Sequence, residues 1–157
     1  MKAKNQLVSL DDLDRTILRI LQENAKQTYT EIGRRMKLAH STIYDRIKKM
    51  EGYGIIKKYA VVIDLEKAGI KLLTAIVTIF TDPKESDKVA KELRKQRQVL
   101  EVFTSLSEEL VIIVKIAAED QEDLHSFVSQ IIAPLPGVLR IRTSIITKKY
   151  KEEGFFI

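Results

Sequence analysis

The sequence contains no cysteine and only two histidines, His40 and His125, in a chain of 157 residues. The absence of thiols excludes disulfide frameworks, thiolate zinc sites and cysteine nucleophiles. A histidine without a second one nearby is more often a packed or surface residue than a ligand, so we assign His125 no role. We therefore predict no metal site and no cofactor, and we predict a binding protein rather than an enzyme.

Long apolar runs are also missing. The longest, at residues 76–80 and 110–114, are far shorter than the ~20 residues that a membrane-spanning helix requires. The basic N-terminus is not followed by the apolar core of a signal peptide. We expect a cytoplasmic protein without a membrane partner, and a composition of 45% hydrophobic and 31% charged residues is typical of a globular protein.

Positive charge is concentrated in the N-terminal part of the chain. Residues 1–60 contain 13 Lys and Arg against 7 Asp and Glu, a net charge of +6, whereas residues 61–157 contain 14 against 15, a net charge of −1. This asymmetry suggests that one half binds a polyanion. Chance scatter of lysine over solvated helices is the alternative, and charge alone does not decide between the two.

Two capping boxes predict where the first helices begin. Apolar residues recur at helical spacing over 11–22, and Asp11 with Asp14 resembles a capping box that has Asp at its last position. Thr28 and Glu31 form a second box, in which the hydroxyl accepts from the amide of Glu31 and the carboxylate reaches back. The sequence therefore predicts two helices separated by a short turn.

A third helix is predicted to begin near His40, because Ile43, Ile47 and Met50 form an apolar stripe at helical spacing. Residues 37–39 interrupt the pattern between the second and third helices. Two short helices joined by three or four residues are typical of a helix-turn-helix, in which the second helix enters the major groove of DNA while the first crosses the backbone.

β-branched and aromatic residues follow the third helix. Residues 55–63 suit strands with a turn at Lys57 and Lys58, an arrangement that resembles the wing of a winged helix. No linker rich in Gly, Ser or Pro separates the halves of the chain, so we expect them to be closely coupled. We predict a winged helix-turn-helix domain over 1–60 and a second domain over 61–157.

The second half alternates strand and helix patterns. Asp82 and Asp120 are predicted N-caps, the first followed by Pro83 at N1. The order βαββαβ is the ferredoxin-like arrangement, so the predicted fold class is α+β: a three-helix bundle plus a β-wing, joined to a ferredoxin-like domain. One face of such a sheet carries no helices, and this invites self-association. Strands are predicted over 72–81, 99–105, 110–117 and 138–149, and helices over 82–97 and 120–133.

The helix-turn-helix pattern is the strongest functional signal. Hydroxyls bond base edges or phosphates, tyrosine packs on a sugar or a thymine methyl, and basic side chains neutralise phosphates. Residues 28–58 contain eight Lys and Arg against three Asp and Glu, which favours DNA over a packing or protein-binding role. We predict that a palindromic double-stranded DNA site is contacted by Thr28, Tyr29, Arg34, His40, Ser41, Thr42, Tyr44, Asp45, Arg46, Lys48, Lys49, Lys57 and Lys58.

Asp45 is unexpected on a surface that faces phosphates. Its carboxylate can accept from the amino group of a cytosine, or it can pair with Lys48 or Lys49 on the same helix. Of these two interpretations we favour the ion pair within the helix.

Four motifs together resemble one known family. They are Leu-Asp-Asp-Leu-Asp-Arg-Thr-Ile-Leu-Arg-Ile-Leu-Gln-Glu-Asn-Ala (10–25), Glu-Ile-Gly-Arg-Arg-Met (31–36), Ser-Thr-Ile-Tyr-Asp-Arg-Ile-Lys-Lys-Met-Glu (41–51) and Gly-Ile-Ile-Lys-Lys-Tyr (54–59). With the βαββαβ order and Leu-Pro-Gly-Val at 135–138, they look like the Lrp/AsnC, or feast/famine, regulators. The resemblance implies dimers that assemble through their sheets into tetramers or octamers, and often a free amino acid bound between dimers.

Two departures from that family bear on function. The family usually has Gly-Leu-Ser at the helix-turn-helix corner, with the serine capping the recognition helix, whereas this chain has Lys-Leu-Ala at 37–39. Capping of the third helix is then expected from His40, Ser41 or water. The family also has a Gly-x-x-Asp loop beside its effector, whereas no glycine lies between Gly69 and Gly137 here.

The resemblance nevertheless implies which residues would enclose an amino-acid effector. Acidic residues of the loop would face the ammonium group, and hydroxyls of the last strand could join them. Ordinary solvated hairpin residues are the competing explanation of the acidic pair. The candidate effector residues are Ser107, Glu108, Glu109, Thr143 and Ser144.

Other functions fit the sequence less well. Some haem-precursor (siroheme-type) decarboxylases look similar to this family and are the leading alternative, but the absence of Trp and the scarcity of His leave few groups to bind a macrocycle. Acylphosphatase-like chemistry would need an Asn to orient water, and none follows Asn24. An RNA-binding sheet would need stacked aromatics, for which Phe80 and Phe103 form a thin platform.

Overall fold

The computed structural model describes residues 9–106 and 110–151. The chain divides into two compact units, with the division between Val62 and Ile63. Each unit has a hydrophobic core of its own. No helix in these two described stretches combines the length and the apolar character needed to cross a membrane.

The N-terminal unit is built from three helices, α1 (Asp12–Glu23), α2 (Tyr29–Met36) and α3 (His40–Gly52). Each helix buries one apolar stripe in a shared core, because apolar residues spaced three or four apart share a helix face. The third helix buries the predicted stripe of Ile43, Ile47 and Met50. The three helices predicted from periodicity are confirmed.

Both predicted capping boxes are present. The amide of Asp14 donates to Asp11 Oδ1 at 2.8 Å, and the amide of Asp11 donates to Asp14 Oδ2 at 3.3 Å. At the start of α2, the amide of Glu31 donates to Thr28 Oγ1 at 3.2 Å and the amide of Thr28 donates to Glu31 Oε2 at 2.7 Å. These bonds satisfy amides that a helix N-terminus otherwise leaves unpaired.

The corner between α2 and α3 depends on a close backbone approach. The amide of Leu38 donates to the carbonyl of Gly33 at 2.9 Å. A Cβ atom at Gly33 would lie only 2.7 Å from the carbonyl oxygen of Leu38, so glycine is required there. Lys37 turns the chain with φ 55° and ψ 42°, a left-handed conformation that favours glycine.

The predicted wing strands over 55–63 are not formed, and this part of the prediction is wrong. The amides of Ile55 and Ile56 both donate to the carbonyl of Met50, at 2.9 and 3.2 Å, which folds the chain back onto the end of α3. Beyond them, Val61 and Val62 are 82% and 76% exposed. A β-prone segment needs a neighbouring strand, and an isolated two-stranded hairpin is marginal in water.

The C-terminal unit contains a four-stranded antiparallel sheet. The strands are β1 (Leu73–Thr81), β2 (Val99–Leu106), β3 (Leu110–Ala118) and β4 (Val138–Ile145), and the helices are α4 (Ser86–Leu93) and α5 (Gln121–Phe127). The strands lie in the order β2-β3-β1-β4, as in a ferredoxin-like fold, so the predicted βαββαβ order is confirmed. Helix α5 continues into a π-helical segment at Val128–Ile132.

Strand alternation separates two faces of this sheet. On one face, Val77, Ile79 and Val114 are fully buried against Leu93 of α4 and Leu124 of α5. The other face carries the alternate residues of each strand and is not covered by α4 or α5. We call it the open face; it is lined by Ile76, Thr78, Phe80, Glu101, Phe103, Val111, Ile113, Lys115, Arg140, Arg142 and Ser144.

Helix α4 and strand β4 are shorter than the sequence predicts, and α4 ends at Leu93 rather than at residue 97. Helix α4 begins at Ser86 rather than Asp82, because Asp82 caps a turn: its Oδ1 accepts from the amide of Lys84 at 2.8 Å, and its own amide donates to Gly137 O at 2.8 Å. Strand β4 ends at Ile145, opposite Ala75 near the start of β1, and not at residue 149. One further backbone bond, from the amide of Ile146 to the carbonyl of Thr74 at 2.8 Å, follows the end of the strand.

Candidate DNA-binding interface

One face of α3 is exposed and polar. A helix has 3.6 residues per turn, so residues three or four apart share a face. Burial of one such stripe leaves the positions on the opposite side exposed to solvent. Thr42 is half-buried at the margin of this face. The predicted contact residues that α3 exposes are His40, Ser41, Tyr44, Asp45, Lys48 and Lys49.

The N-terminal end of α3 has no side-chain cap. Ala39 occupies the N-cap position, and no side chain accepts a hydrogen bond there. The prediction that His40 or Ser41 replaces the missing serine cap is therefore wrong for the side chains, because both lie inside the helix rather than before it. The amides of this first turn are available to water or to an anion.

Three aromatic rings lie together where α2 and α3 begin. The Tyr29 and Tyr44 rings meet edge to face with centroids 5.4 Å apart, and the His40 ring lies 6.4 Å from Tyr29. Lys48 Nζ lies 5.9 Å from the centroid of the Tyr44 ring, within cation–π range. Tyr44 is nevertheless 42% exposed, so its ring edge can contact a ligand.

Lys48 is held by a network that reaches beyond α3. Its Nζ donates to Glu51 Oε2 at 2.8 Å, and the Tyr59 hydroxyl donates to Glu51 Oε1 at 3.0 Å. These two bonds lower the pKa of Glu51, while burial and the neighbouring carboxylate raise the pKa of Tyr59 to about 12. The sequence interpretation missed Glu51 and Tyr59; the spacing of three between Lys48 and Glu51 was the available signal.

Asp45 does not pair with the lysines of its own helix. Lys48 binds Glu51 instead, and within residues 9–106 and 110–151 no ion pair reaches Asp45 or Lys49. The favoured interpretation of Asp45 is therefore wrong. Its carboxylate lies exposed on the same face as Ser41 and Lys49.

Arg46 is bound inside the domain rather than extended to solvent. Its guanidinium forms ion pairs with Asp11 and Asp14 of the first capping box, the second at 3.1 Å between Nη1 and Oδ1. The hydrogen bond from the Asp14 amide and then the Arg46 guanidinium lower the pKa of Asp11. Sequence analysis missed these partners, which lie 35 and 32 residues away along the chain.

The remaining predicted contact residues lie outside α3. Arg34 is exposed on α2, and Lys57 and Lys58 are exposed in the segment without strands. The Thr28 hydroxyl is used within its own capping box, since it donates to Glu31 Oε2 at 2.8 Å. Arg34, Lys57 and Lys58 therefore remain predictions as phosphate contacts, whereas the Thr28 hydroxyl already has a partner.

The predicted effector residues are not all brought together. Ser107, Glu108 and Glu109 lie outside the described residues. Thr143 and Ser144 are neighbours on β4 and point to opposite faces of the sheet, Thr143 opposite Val77 and Ser144 opposite Ile76. One ligand on one face can therefore contact only one of these two hydroxyls.

The C-terminal unit also has an open cavity of about 690 Å³ that neither hydroxyl lines. Its wall contains Leu65, Ile70 and Leu72 from the segment before β1, and Ile145 and Ile146 at the end of β4. Charged residues also line it, namely Glu66, Lys71, Glu119 and Asp120. The cavity is mostly apolar, and carboxylates outnumber ammonium groups in its lining.

Comparisons with known proteins match both units. An AsnC-type helix-turn-helix domain model matches residues 10–51, and a Lrp/AsnC ligand binding domain model matches residues 74–155. The HTH-type transcriptional regulator FL11 of Pyrococcus abyssi is 36% identical over 145 residues, which cover 92% of this chain and 94% of that protein.

Solved structures show the same architecture. A transcriptional regulator of Neisseria meningitidis, solved as a complex with L-methionine, is 27% identical with a TM-score of 0.80, covering 92% of this chain and 94% of the other. AsnC of E. coli shares the fold with a TM-score of 0.82 at 21% identity, covering 94% of this chain and 99% of the other. The chain therefore belongs to the Lrp/AsnC family of transcription regulators.

Proposed function

We propose that this protein regulates transcription by binding a palindromic double-stranded DNA site as a dimer or a higher homo-oligomer. The observation that carries the proposal is the exposed face of α3, which presents hydroxyl, aromatic and ammonium groups while the opposite stripe is fully buried. Docked in a major groove, such a helix directs this face to base edges.

The side chains of α3 divide into two roles in this proposal. Ser41, Thr42 and Tyr44 lie near its N-terminal end and would contact bases and sugars, with Asp45 accepting from a cytosine amino group. Lys49 would bind phosphate, since it forms no ion pair in the described chain. Arg34, Lys57 and Lys58 would extend the phosphate contacts on either side.

Self-association is the second part of the proposal. The open face exposes Phe103, whose side chain is 53% accessible to solvent. Apolar surface of this kind is covered by a partner more often than it is left in water. Two copies related by a two-fold axis would place two α3 helices about 34 Å apart, one turn of the duplex.

A free amino acid is the effector class proposed for the C-terminal unit. The support is the match to a ligand binding domain and the L-methionine complex of the Neisseria relative. Ser107, Glu108 and Glu109 would face its ammonium group, with either Thr143 or Ser144. FL11 of Pyrococcus abyssi, which matches 92% of this chain, is named a transcriptional regulator, and this favours a non-enzymatic role over that of a decarboxylase.

The test begins with selection of bound fragments from random duplexes, followed by footprinting with and without each amino acid. We expect a palindromic site whose affinity falls steeply with salt. Lys49→Glu is expected to weaken binding at least about tenfold, because it replaces an attraction to phosphate with a repulsion. Lys84→Glu makes the same charge change in the C-terminal unit and is the matched control, expected to bind as the wild type does.

Failure of the wild-type protein to retain any duplex at low salt would contradict the proposed function. Equal loss of affinity in Lys49→Glu and Lys84→Glu would contradict the assignment of α3 as the binding element, because it would mean that only net charge matters.

A further inference from the structure

Arg46 is the one basic residue of α3 that the exposed face does not include. It lies at the flank of the buried stripe, half-buried, with its side chain 32% exposed. Its guanidinium crosses to the first turn of α1, where Nη1 lies 3.1 Å from Asp14 Oδ1 and also contacts Asp11 Oδ2. This contact joins the middle of the recognition helix to the N-terminus of another helix.

The charges around Arg46 hold it in that position. Asp14 is 7% exposed, and a buried carboxylate that loses its cation is strongly destabilising. Movement of Arg46 toward a phosphate would leave Asp14 and Asp11 without their counter-ion. Two carboxylates face one guanidinium, so this cluster of three side chains carries a net negative charge and disfavours a phosphate beside it.

We propose that Arg46 is a positioning residue, which clamps α3 to the capping box of α1 and so fixes the orientation of the face that reads DNA. The inference rests on the proposed function and departs from the sequence prediction that Arg46 binds phosphate. Apolar packing of Ile43, Ile47 and Met50 resists separation of the helices, but the hydrophobic effect behind it is non-directional. A charge-assisted hydrogen bond to two fixed carboxylates is directional.

The consequence for DNA binding follows from the difference between base and phosphate contacts. Side chains recognise base edges only within hydrogen-bonding distance, so a small rotation of α3 breaks the hydrogen bonds to the bases. Flexible lysines follow a phosphate through a similar movement, and the sequence-independent part of the affinity survives. Loss of the clamp should therefore lower specificity more than it lowers non-specific binding.

The experiment compares Arg46→Gln, Asp11→Asn and the double variant with the wild type. Asparagine caps helices as well as aspartate does, so Asp11→Asn removes the charge and keeps the cap. Affinities for the selected site and for an unrelated duplex are measured over a range of salt concentrations. Circular dichroism at the binding temperature confirms that each variant is folded.

We expect Arg46→Gln to lower the ratio of specific to non-specific affinity by about tenfold, the size of losing one base contact. Asp11→Asn should lower it less, because the ion pair between Arg46 and Asp14 remains. The double variant should be no worse than Arg46→Gln alone, because that substitution already removes both ion pairs. The log–log salt slope should stay at the wild-type value in all three. Lys49→Gln is the reference for a true phosphate contact, with a slope reduced by about 0.9.

A phosphate role for Arg46 would give the opposite pattern and overturn the proposal. Arg46→Gln would then reduce the slope by about 0.9, and Asp11→Asn would strengthen binding to every duplex by removing a competing negative charge. If the wild type binds no DNA, the proposed function fails by itself. The contact between Arg46 and Asp11 is then tested by the free energies of unfolding in urea. Additive effects of Arg46→Gln and Asp11→Asn would overturn the proposal, and non-additive effects would support it.

Discussion

Gly137 shows how a single residue determines a junction in the C-terminal unit. It has φ 92°, in the region that side chains avoid, and its carbonyl accepts from the amide of Asp82 at 2.8 Å. A Cβ atom at this position would overlap the Cβ of Glu85, which is close to the backbone and cannot swing away. The turn before β4 and the turn before α4 are therefore packed against each other with no room for a methyl group.

Gly137→Ala is expected to destabilise the protein by roughly 2 kcal/mol or more, because it adds a strained backbone to a steric overlap. Urea unfolding followed by circular dichroism measures the change. Gly52→Ala is the control: nothing lies within 4 Å of its Cβ position, so it should be neutral or slightly stabilising. Equal stability of the two variants would show that the overlap is relieved by a movement of the backbone.

Lys37 departs from the family pattern and adopts a backbone conformation that is unfavourable for lysine. The corner of the helix-turn-helix requires a left-handed residue, and lysine adopts that conformation with φ 55°. Ala39, two residues later, leaves α3 without a side-chain cap. The apolar core between the helices therefore holds the corner against local preferences that oppose it.

At the scale of the helices, the N-terminal unit depends on carboxylates that are ionised in the folded state. Hydrogen bonds from the backbone and hydroxyl of Thr28 lower the pKa of Glu31, and the amide of Asp14 together with Arg46 lowers the pKa of Asp11. When folding lowers the pKa of a group, that group stabilises the protein at any pH above the pKa it has in the unfolded chain. This contribution is lost as the pH falls through the pKa that the group has in the folded protein.

Stability of the helix-turn-helix should therefore decline as the pH falls below about 5, with most of the loss below the ordinary carboxylate pKa of about 4. Glu31→Gln keeps a capping box but does not titrate there, so the melting temperature of this variant should fall less steeply between pH 5 and pH 2. Thermal unfolding at a series of pH values measures both. Parallel curves for the variant and the wild type would show that Glu31 is not one of the groups responsible.

At the scale of the whole molecule, the open face is the surface with the clearest consequence for assembly. Phe103 lies on β2 opposite Ile113, and Arg140 lies over the ring of Phe80 at 3.8 Å, so the face mixes apolar and basic groups. Lys115 and Glu101 form a cross-strand ion pair at 3.1 Å. Such a face is suited to burial against a second copy of itself, with polar groups at its edge.

Phe103→Glu is expected to shift the protein toward smaller assemblies, because a buried unpaired carboxylate opposes association. Sedimentation velocity over a range of protein concentrations measures the shift. Thr104→Glu places the same charge on the other face of the same strand and should leave the assembly unchanged. An unaltered size distribution for Phe103→Glu would exclude the open face as the interface between copies.

Local patterns in the sequence were sufficient for the elements themselves. The capping boxes at Asp11 and Thr28, the stripe of α3 and the order βαββαβ depend on residues within a few positions of each other, where helix and strand periodicity operate. The excess of positive charge before residue 60 and the motifs of the helix-turn-helix were equally local. These features determined the fold class and the family.

Tertiary structure decided what depends on partners far away in the chain. Arg46 meets Asp11 and Asp14 across more than thirty residues, so its side chain could not be distinguished from a phosphate ligand by composition. Residues 55–63 have strand propensity, but pairing needs a neighbouring strand, and none among residues 9–106 and 110–151 pairs with them. Thr143 and Ser144 are adjacent in sequence and lie on opposite faces of the sheet, and the pairing of β4 with β1 decides which face each of them occupies.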